Sequence, residues 1–343
     1  MAAVPLLTRF PLTAQTGGRA ADVIAKSNVI DMLGLLTLNW AQLDRWQIDP
    51  SSFQRSDFQK LRDSGISVFH PAVAFESPQS YEITHQWFQK WNRLITQHPD
   101  CFTRVDCGAD IARAKQEQKI GIILGMQDAN HLRSLDDLDA FYAMGQRLTQ
   151  LTYNSTNRLG TGCMVARGTN QGSGLSAFGR DVVARMNKIR MAIDISHCGE
   201  QTSLDAIEAS TKPVLITHSN CKALAPGVAR CKTDDIIVAA ARKGGVIGLT
   251  GIRHFVRAVD PVTIENALDH FDHVVKIAGI EHVGIGSDTD LSGRGPGYDI
   301  AGLNRVDRVQ ELTEGLIRRG YTDEQIGLIL GGNFHRALNE IWN

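Results

Sequence analysis

Met191-Ala-Ile-Asp-Ile-Ser-His197, Val214-Leu-Ile-Thr-His218 and His282-Val-Gly-Ile-Gly-Ser-Asp288 are three short apolar runs, each ending in a residue able to bind a metal or move a proton. The runs are near-continuous in apolar residues rather than alternating. That pattern marks strands buried on both faces, as in a parallel sheet. Working outward, five further runs share it: Asn28-Val-Ile-Asp-Met32, Gly65-Ile-Ser-Val-Phe-His70, Ile120-Gly-Ile-Ile-Leu-Gly125, Leu148-Thr-Gln-Leu-Thr152 and Gly245-Val-Ile-Gly-Leu-Thr250.

Helical patterns separate these eight runs. They are read at Ser56–Arg62, Ser77–Gln97, Leu135–Leu148, Ala177–Lys188, Glu200–Ser210, Thr233–Arg242, Asp260–Ala278 and, at the end, Val306–Arg319, Thr322–Leu330 and Asn333–Trp342. Ser77 with Pro78 behind it suits a helix start. Thr322-Asp-Glu-Gln325 reads as a capping box. Strand alternating with helix argues for a parallel sheet, and eight repeats favour closure into a (β/α)₈ TIM barrel over an open sheet. The chain of 343 residues is expected to form one such domain, with residues 1–27 as an N-terminal extension packed on the barrel.

Composition narrows the class. Hydrophobic residues make up 43% and charged residues 21%, which excludes a disordered or fibrous chain. The 36 basic and 37 acidic side chains leave a net charge of -1, so nothing asks for nucleic acid, and a small molecule is the expected partner. Six scattered cysteines without a C-x-x-C pair read as reduced thiols. Arg9, Pro11 and Thr13 interrupt the mildly apolar start before any signal-peptide core can form. No run approaches the roughly 18 apolar residues of a membrane helix. The expectation is a soluble, cytoplasmic protein that does not engage membranes.

Barrel active sites form where the strands end. Gln127 follows the third run, and Tyr153 and Asn154 follow the fourth. His197 ends the fifth and His218 the sixth. Arg253 and His254 follow the seventh, and Asp288 ends the eighth, with Asp290 beyond it. Taken singly, each would be a loop-capping polar residue. Two histidines and an aspartate at three strand mouths instead form a metal-like set, because neutral imidazole and carboxylate together suit Zn²⁺ or a similar ion. His70 and His131 are weaker candidates. Arg158, Arg167 and Arg230 follow strands and could each clamp a carboxylate. Cys198 and Cys221 read as small fillers beside the mouth. His85, His98, His270, His273, His282 and His335 read as surface or packing residues.

The stretches Ile193-Asp-Ile-Ser-His197-Cys, Pro213-Val-Leu-Ile-Thr-His218-Ser-Asn and Val283-Gly-Ile-Gly-Ser-Asp288, with Gly331-Gly-Asn-Phe-His-Arg near the end, resemble the membrane (renal) dipeptidase family of metallopeptidases. The resemblance covers nearly the whole chain from about Val29. It implies an amidohydrolase-type barrel with two zinc ions that cleaves dipeptides, often with a D-residue at the C-terminal position. It further implies that His197 and His218 hold one ion, that Asp288 lies at the other or acts as base on water, and that Arg230 binds the substrate carboxylate. Such barrels are often homodimers.

The departures from that pattern are specific. The family's first strand carries a histidine and an aspartate ligand where this chain has Leu33 and Leu35. The family's bridging glutamate is Gln127 here, a neutral and poorer ligand. The family's oxyanion-stabilising histidine is Tyr153, whose phenol can still donate. Together these losses remove one ion and keep the two histidines of the other, so one zinc at most is expected. Three readings stand open: a dipeptidase-like hydrolase with a mononuclear or empty site, with Asn154 beside Arg230 in substrate binding; a lyase or isomerase on a small carboxylate metabolite; and a silent binding protein on the same barrel.

Overall fold

The computed structural model describes residues 12–165, 174–293 and 297–343. Ten strands form the sheet: β1 (Ile30–Asp31), β2 (Val68–Phe69), β3 (Phe102–Arg104), β4 (Ile120–Ile122), β5 (Gly125–Met126), β6 (Leu148–Gln150), β7 (Ala192–Asp194), β8 (Val214–Ser219), β9 (Ile247–Leu249) and β10 (Val283–Ile285). Every pairing is parallel. All eight expected runs are strands.

The ring closes through a single stretch of chain. β4 pairs with β2, at Val68↔Gly121 and Phe69↔Ile122. Three residues later β5 pairs with β6, at Gly125↔Leu148 and Met126↔Thr149. The stretch Ile120–Met126 therefore changes partner midway. From β6 the ladder passes through β7, β8, β9 and β10 and returns to β1 and β2. β3 stands outside this circle, on the far side of β4.

The last helix, Asn333–Trp342, plugs the end where strands begin. Phe334, Leu338 and Ile341 share one buried cluster with Ile30, Val68, Leu148, Ala192 and Val246. Each such apolar side chain, fully buried, contributes on the order of 1.5–3 kcal/mol. Asn333 Nδ2 donates to Val283 O at 2.8 Å and to Ile280 O at 2.7 Å, which anchors the helix start. With that end filled, the opposite mouth is left for chemistry. The helix Leu12–Lys26 lies against the barrel: Ala20 and Val23 are buried, and Gly17 O accepts from Gln310 Nε2 at 3.0 Å.

Several local expectations are corrected. A βα unit, β3 with the helix Gly108–Gln116, was not anticipated. The helix expected over Leu135–Leu148 stops at Ala143, because Gly145 turns the chain at φ 106° and Leu148 already belongs to β6. Ser77 caps a turn rather than the helix: its Oγ accepts from Gln79 N at 3.2 Å, and the helix begins at Ser80. The helix expected from Asp260 starts at Ile264, where Thr263 and Asn266 cap it reciprocally. The box at Thr322 and Gln325 is present. Arg167 lies outside the described residues. The six cysteines are free thiols, and no described helix is long and apolar enough to cross a membrane.

Candidate active site

His218 faces inward because β8 bulges. Ile216 pairs with Ile247 and Ser219 with Leu249, so three steps on β8 match two on β9. One extra residue in a strand kinks it and re-aims its side chains. Two glycines make room for the bulge: a Cβ at Gly248 of β9, or at Gly286 just past β10, would collide with Thr217 O.

His197 and His218 then meet. Their Nε2 atoms are 3.0 Å apart. Each Nδ1 is already engaged: His197 Nδ1 bonds to Asn154 Oδ1 at 2.8 Å, and His218 Nδ1 to Thr217 Oγ1 at 2.8 Å. Thr217 Oγ1 donates its own hydrogen to Asp194 Oδ2 at 2.6 Å, so toward His218 it can only accept. An amide oxygen also only accepts. Both Nδ1 atoms therefore carry hydrogen, and both Nε2 atoms turn lone pairs toward each other. Facing lone pairs repel unless a cation lies between them. Burial, with Arg230, His218 and Lys232 nearby, holds His197 well below the usual imidazole range, so a proton is disfavoured there.

This donor set suits zinc. Tetrahedral zinc with ordinary Zn–N bonds places two nitrogens roughly 3.3 Å apart, close to the observed spacing. Outer acceptors that fix ligand tautomers are a regular part of such sites, and Asn154 and the Thr217–Asp194 pair supply them. Among the described residues, however, no third histidine, cysteine, aspartate or glutamate atom lies within 4.8 Å of both nitrogens. Water or substrate would have to complete the coordination. Leu33 and Leu35 are buried apolar residues, and Gln127 Nε2 donates to Ala72 O at 2.8 Å.

Of the other expected residues, Asn154, Tyr153 and Arg230 contact the pair. Tyr153 lies flat on the His197 ring, centroids 4.2 Å apart at 24°. Asp288 is 8% exposed and adopts φ 55°, a left-handed backbone that costs a non-glycine residue about 1–3 kcal/mol. Its N–H donates to Leu33 O at 2.9 Å. Arg230 is buried and gives Nη1 to Ser196 O at 2.6 Å and Nη2 to His218 O at 2.5 Å, while Nε has no partner among the described residues. Arg230 thus fixes the backbone of both histidine segments. Arg158 bonds Arg133 O at 2.7 Å. His70 and His131 are both fully buried; His70 Nδ1 bonds Met32 O at 2.6 Å, and His131 stands edge-on to Phe141.

The sequence reading missed Lys232. It is 2% exposed, donates to Cys198 O at 2.7 Å and Ser203 Oγ at 3.2 Å, and burial lowers its pKa to about 8. It lines a cavity of about 420 Å³ that adjoins the His197–Cys198 turn, together with Cys163, Gly199, Glu200 and Lys222. That volume falls in the range of small-ligand sites. The sequence signal was only proximity: Lys232 follows Arg230 by two residues. Asp194 and Thr217 were also missed, although both stand inside the quoted runs.

Comparison with known proteins gives the family and the fold. The profile of the family described as membrane dipeptidase (peptidase family M19) matches residues 18–343. An uncharacterized dipeptidase of Schizosaccharomyces pombe is 30% identical over 317 residues, covering 87% of this chain and 75% of that protein. An amidohydrolase from Pseudomonas aeruginosa superimposes with a TM-score of 0.82 at 28% identity, covering 94% of this chain and 99% of that one. A metallopeptidase from Rhodobacter sphaeroides, liganded with a phosphinate mimic of the dipeptide L-Ala-D-Ala, superimposes with a TM-score of 0.76 at 21% identity, covering 92% of this chain and 99% of that one.

Proposed function

The chain belongs to the membrane dipeptidase family, and on that premise we propose that it is a dipeptidase-like hydrolase of small dipeptides or amino-acid amides, working with a single zinc ion. The observation that carries this reading is the His197–His218 pair, whose Nε2 atoms face each other at 3.0 Å with both Nδ1 atoms tied back.

His197 and His218 would hold the ion, and it would supply a Lewis acid for the scissile carbonyl. The rest is the work of this chain's own side chains. Asn154 and Thr217 hold the two imidazoles in the tautomer that leaves Nε2 as ligand. Asp288 takes the proton of the attacking water and passes it to the leaving amine. Tyr153 donates its phenol hydrogen to the developing oxyanion. The substrate carboxylate is met by Lys232 in the adjoining cavity, with the buried Arg230 adding its positive charge from behind the histidine segments.

The decisive experiment offers the zinc-loaded chain a panel of dipeptides and N-acyl amino acids. L-Ala-D-Ala heads the panel, because a mimic of it occupies the Rhodobacter sphaeroides relative. Hydrolysis that needs zinc and disappears in His197→Ala is expected. No turnover of any panel member overturns the reading. The weight then moves to a non-hydrolytic enzyme or a silent binding protein, which the buried Leu33 and Leu35 would favour.

A further inference from the structure

The turn between the helix Ser80–Gln97 and β3 gathers a second set of metal-binding side chains. His98, Asp100 and Cys101 each offer one ligand atom, and the three atoms lie within 4.8 Å of one another. The histidine is set up as a ligand. Its Nε2 bonds Pro50 O at 2.7 Å. A carbonyl can only accept, so Nε2 carries the hydrogen and Nδ1 keeps the lone pair. Phe53 stands against the ring, centroids 5.1 Å apart at 61°, and restricts its rotation.

Cys101 is 5% exposed. Burial and the Asp100 carboxylate, which accepts its hydrogen, push the thiol up to about 11, while Arg55 acts in the opposite direction and favours the thiolate. Left alone, the sulfur therefore stays protonated. His98 also terminates an 18-residue helix, whose last carbonyls concentrate negative potential where a cation would lie.

We propose that His98 Nδ1, an Asp100 carboxylate oxygen and the Cys101 sulfur bind one zinc-class divalent cation, with water as the fourth ligand. Mixed nitrogen, oxygen and sulfur donors in fourfold coordination are zinc's ordinary preference. Binding replaces the Cys101 proton, which leaves to solvent, with no change of oxidation state. The three residues directly precede β3, so the ion lies at the end of the barrel where strands begin. Catalytic groups gather at the other end, and residues at this one serve stability. The ion would clip the helix, the Pro50–Ser52 turn and the start of β3 together. It is independent of the histidine pair at the mouth.

The two sites separate by sulfur. The reduced, metal-stripped full chain is titrated with Co²⁺ and its absorption recorded. A thiolate-to-cobalt charge-transfer band is expected, saturating at one equivalent once the competing mouth site is removed. It should survive in the double variant His197→Ala, His218→Ala and vanish in Cys101→Ser. Asp100 is exposed, so Asp100→Asn leaves folding intact and should weaken cobalt binding at least about tenfold. No band in the unmodified chain, or a full band in Cys101→Ser, overturns the site. If Cys101→Ser does not fold, unchanged cobalt affinity in both Asp100→Asn and His98→Gln overturns it equally.

Discussion

Two sides of the barrel mouth use the same device for different ends. On the β7–β8 side, buried Asp194 ends a strand and reaches across to its neighbour. Its Oδ1 accepts from Ser196 N at 2.9 Å and Thr217 N at 3.0 Å, and its Oδ2 from Thr217 Oγ1 at 2.6 Å. On the β1–β10 side, buried Asp31 ends a strand and does likewise. Its Oδ1 accepts from Ser287 N at 2.8 Å and its Oδ2 from Ser287 Oγ at 2.6 Å. The difference is the counter-charge. Asp31 pairs with Arg308, 4% exposed, at 3.0 Å, and Arg308 carries the contact on to Asp290 O at 2.8 Å. Among the described residues the hydrogen bonds to Asp194 come from hydroxyls and amides, with no ion pair in contact, so its charge is felt through Thr217 at the His218 ring. One carboxylate locks a loop; the other tunes a ligand. The lesson is that a buried aspartate at a strand end is read by what neutralises it.

The largest effect should come from the tuned side. His197→Ala or His218→Ala is expected to abolish metal retention at the mouth, read as zinc content after gel filtration in chains that also carry Cys101→Ser. Retained zinc at the unmodified level would erase the distinction between the sides.

The locked side comes next. Asp31→Asn leaves the Arg308 charge buried without its partner, which costs about 3–5 kcal/mol. Denaturant unfolding measures it. A loss below about 1 kcal/mol would mean the ion pair does not hold the β1–β10 loop.

Thr217→Val should do the opposite. It is nearly isosteric and removes both the acceptor for His218 Nδ1 and the hydroxyl donor to Asp194 Oδ2. A fall of about 10–100-fold in zinc affinity at the mouth is expected. Equal zinc affinity would show that Asp194 is a lock like Asp31.

The smallest effects are in pH. His197 is held below its usual value, so below about pH 6.5 the unfolded chain binds a proton that the folded chain refuses, and stability falls as pH falls through that value. Lys232 acts higher. Its pKa of about 8 lies below the unfolded value near 10.4, so between these values the unfolded chain again holds more protons and stability rises with pH. Lys232→Met should flatten that rise in melting curves at pH 8 to 10; an unflattened rise would show that Lys232 keeps its proton in the folded chain.

Much of this was legible in the sequence, and the reason is local. Strands buried on both faces write their burial as unbroken apolar runs, so all eight were found, and the mouth residues follow from where the runs end. The missed unit, β3 with its helix, lacks that signal. Phe102-Thr-Arg is brief and two-thirds polar, and its helix starts from Cys107, which is not a usual N-cap residue, with Asp110 Oδ2 accepting from Cys107 N at 3.0 Å. Long-range partners were invisible. Asp31 meets Arg308 across 277 positions, and no periodicity announces that. Lys232 was passed over because a lysine is read as solvated until a structure buries it. His98 was taken for a packing residue for a similar reason: what orients its ring is a carbonyl at Pro50, 48 positions away.

The strand that changes partner midway has a consequence for how copies of this chain behave at high concentration. A closed ring offers no rim on which a foreign strand can add. Among the described strands, β3 alone stands at an end of the hydrogen-bonding order without belonging to the ring. It is three residues long and finishes in Arg104, whose guanidinium is turned to Asn92 and Asp106. So short and charged a rim is a poor template. Edge-to-edge polymerisation of the folded protein has one narrow place to begin, and there the chain is already defended.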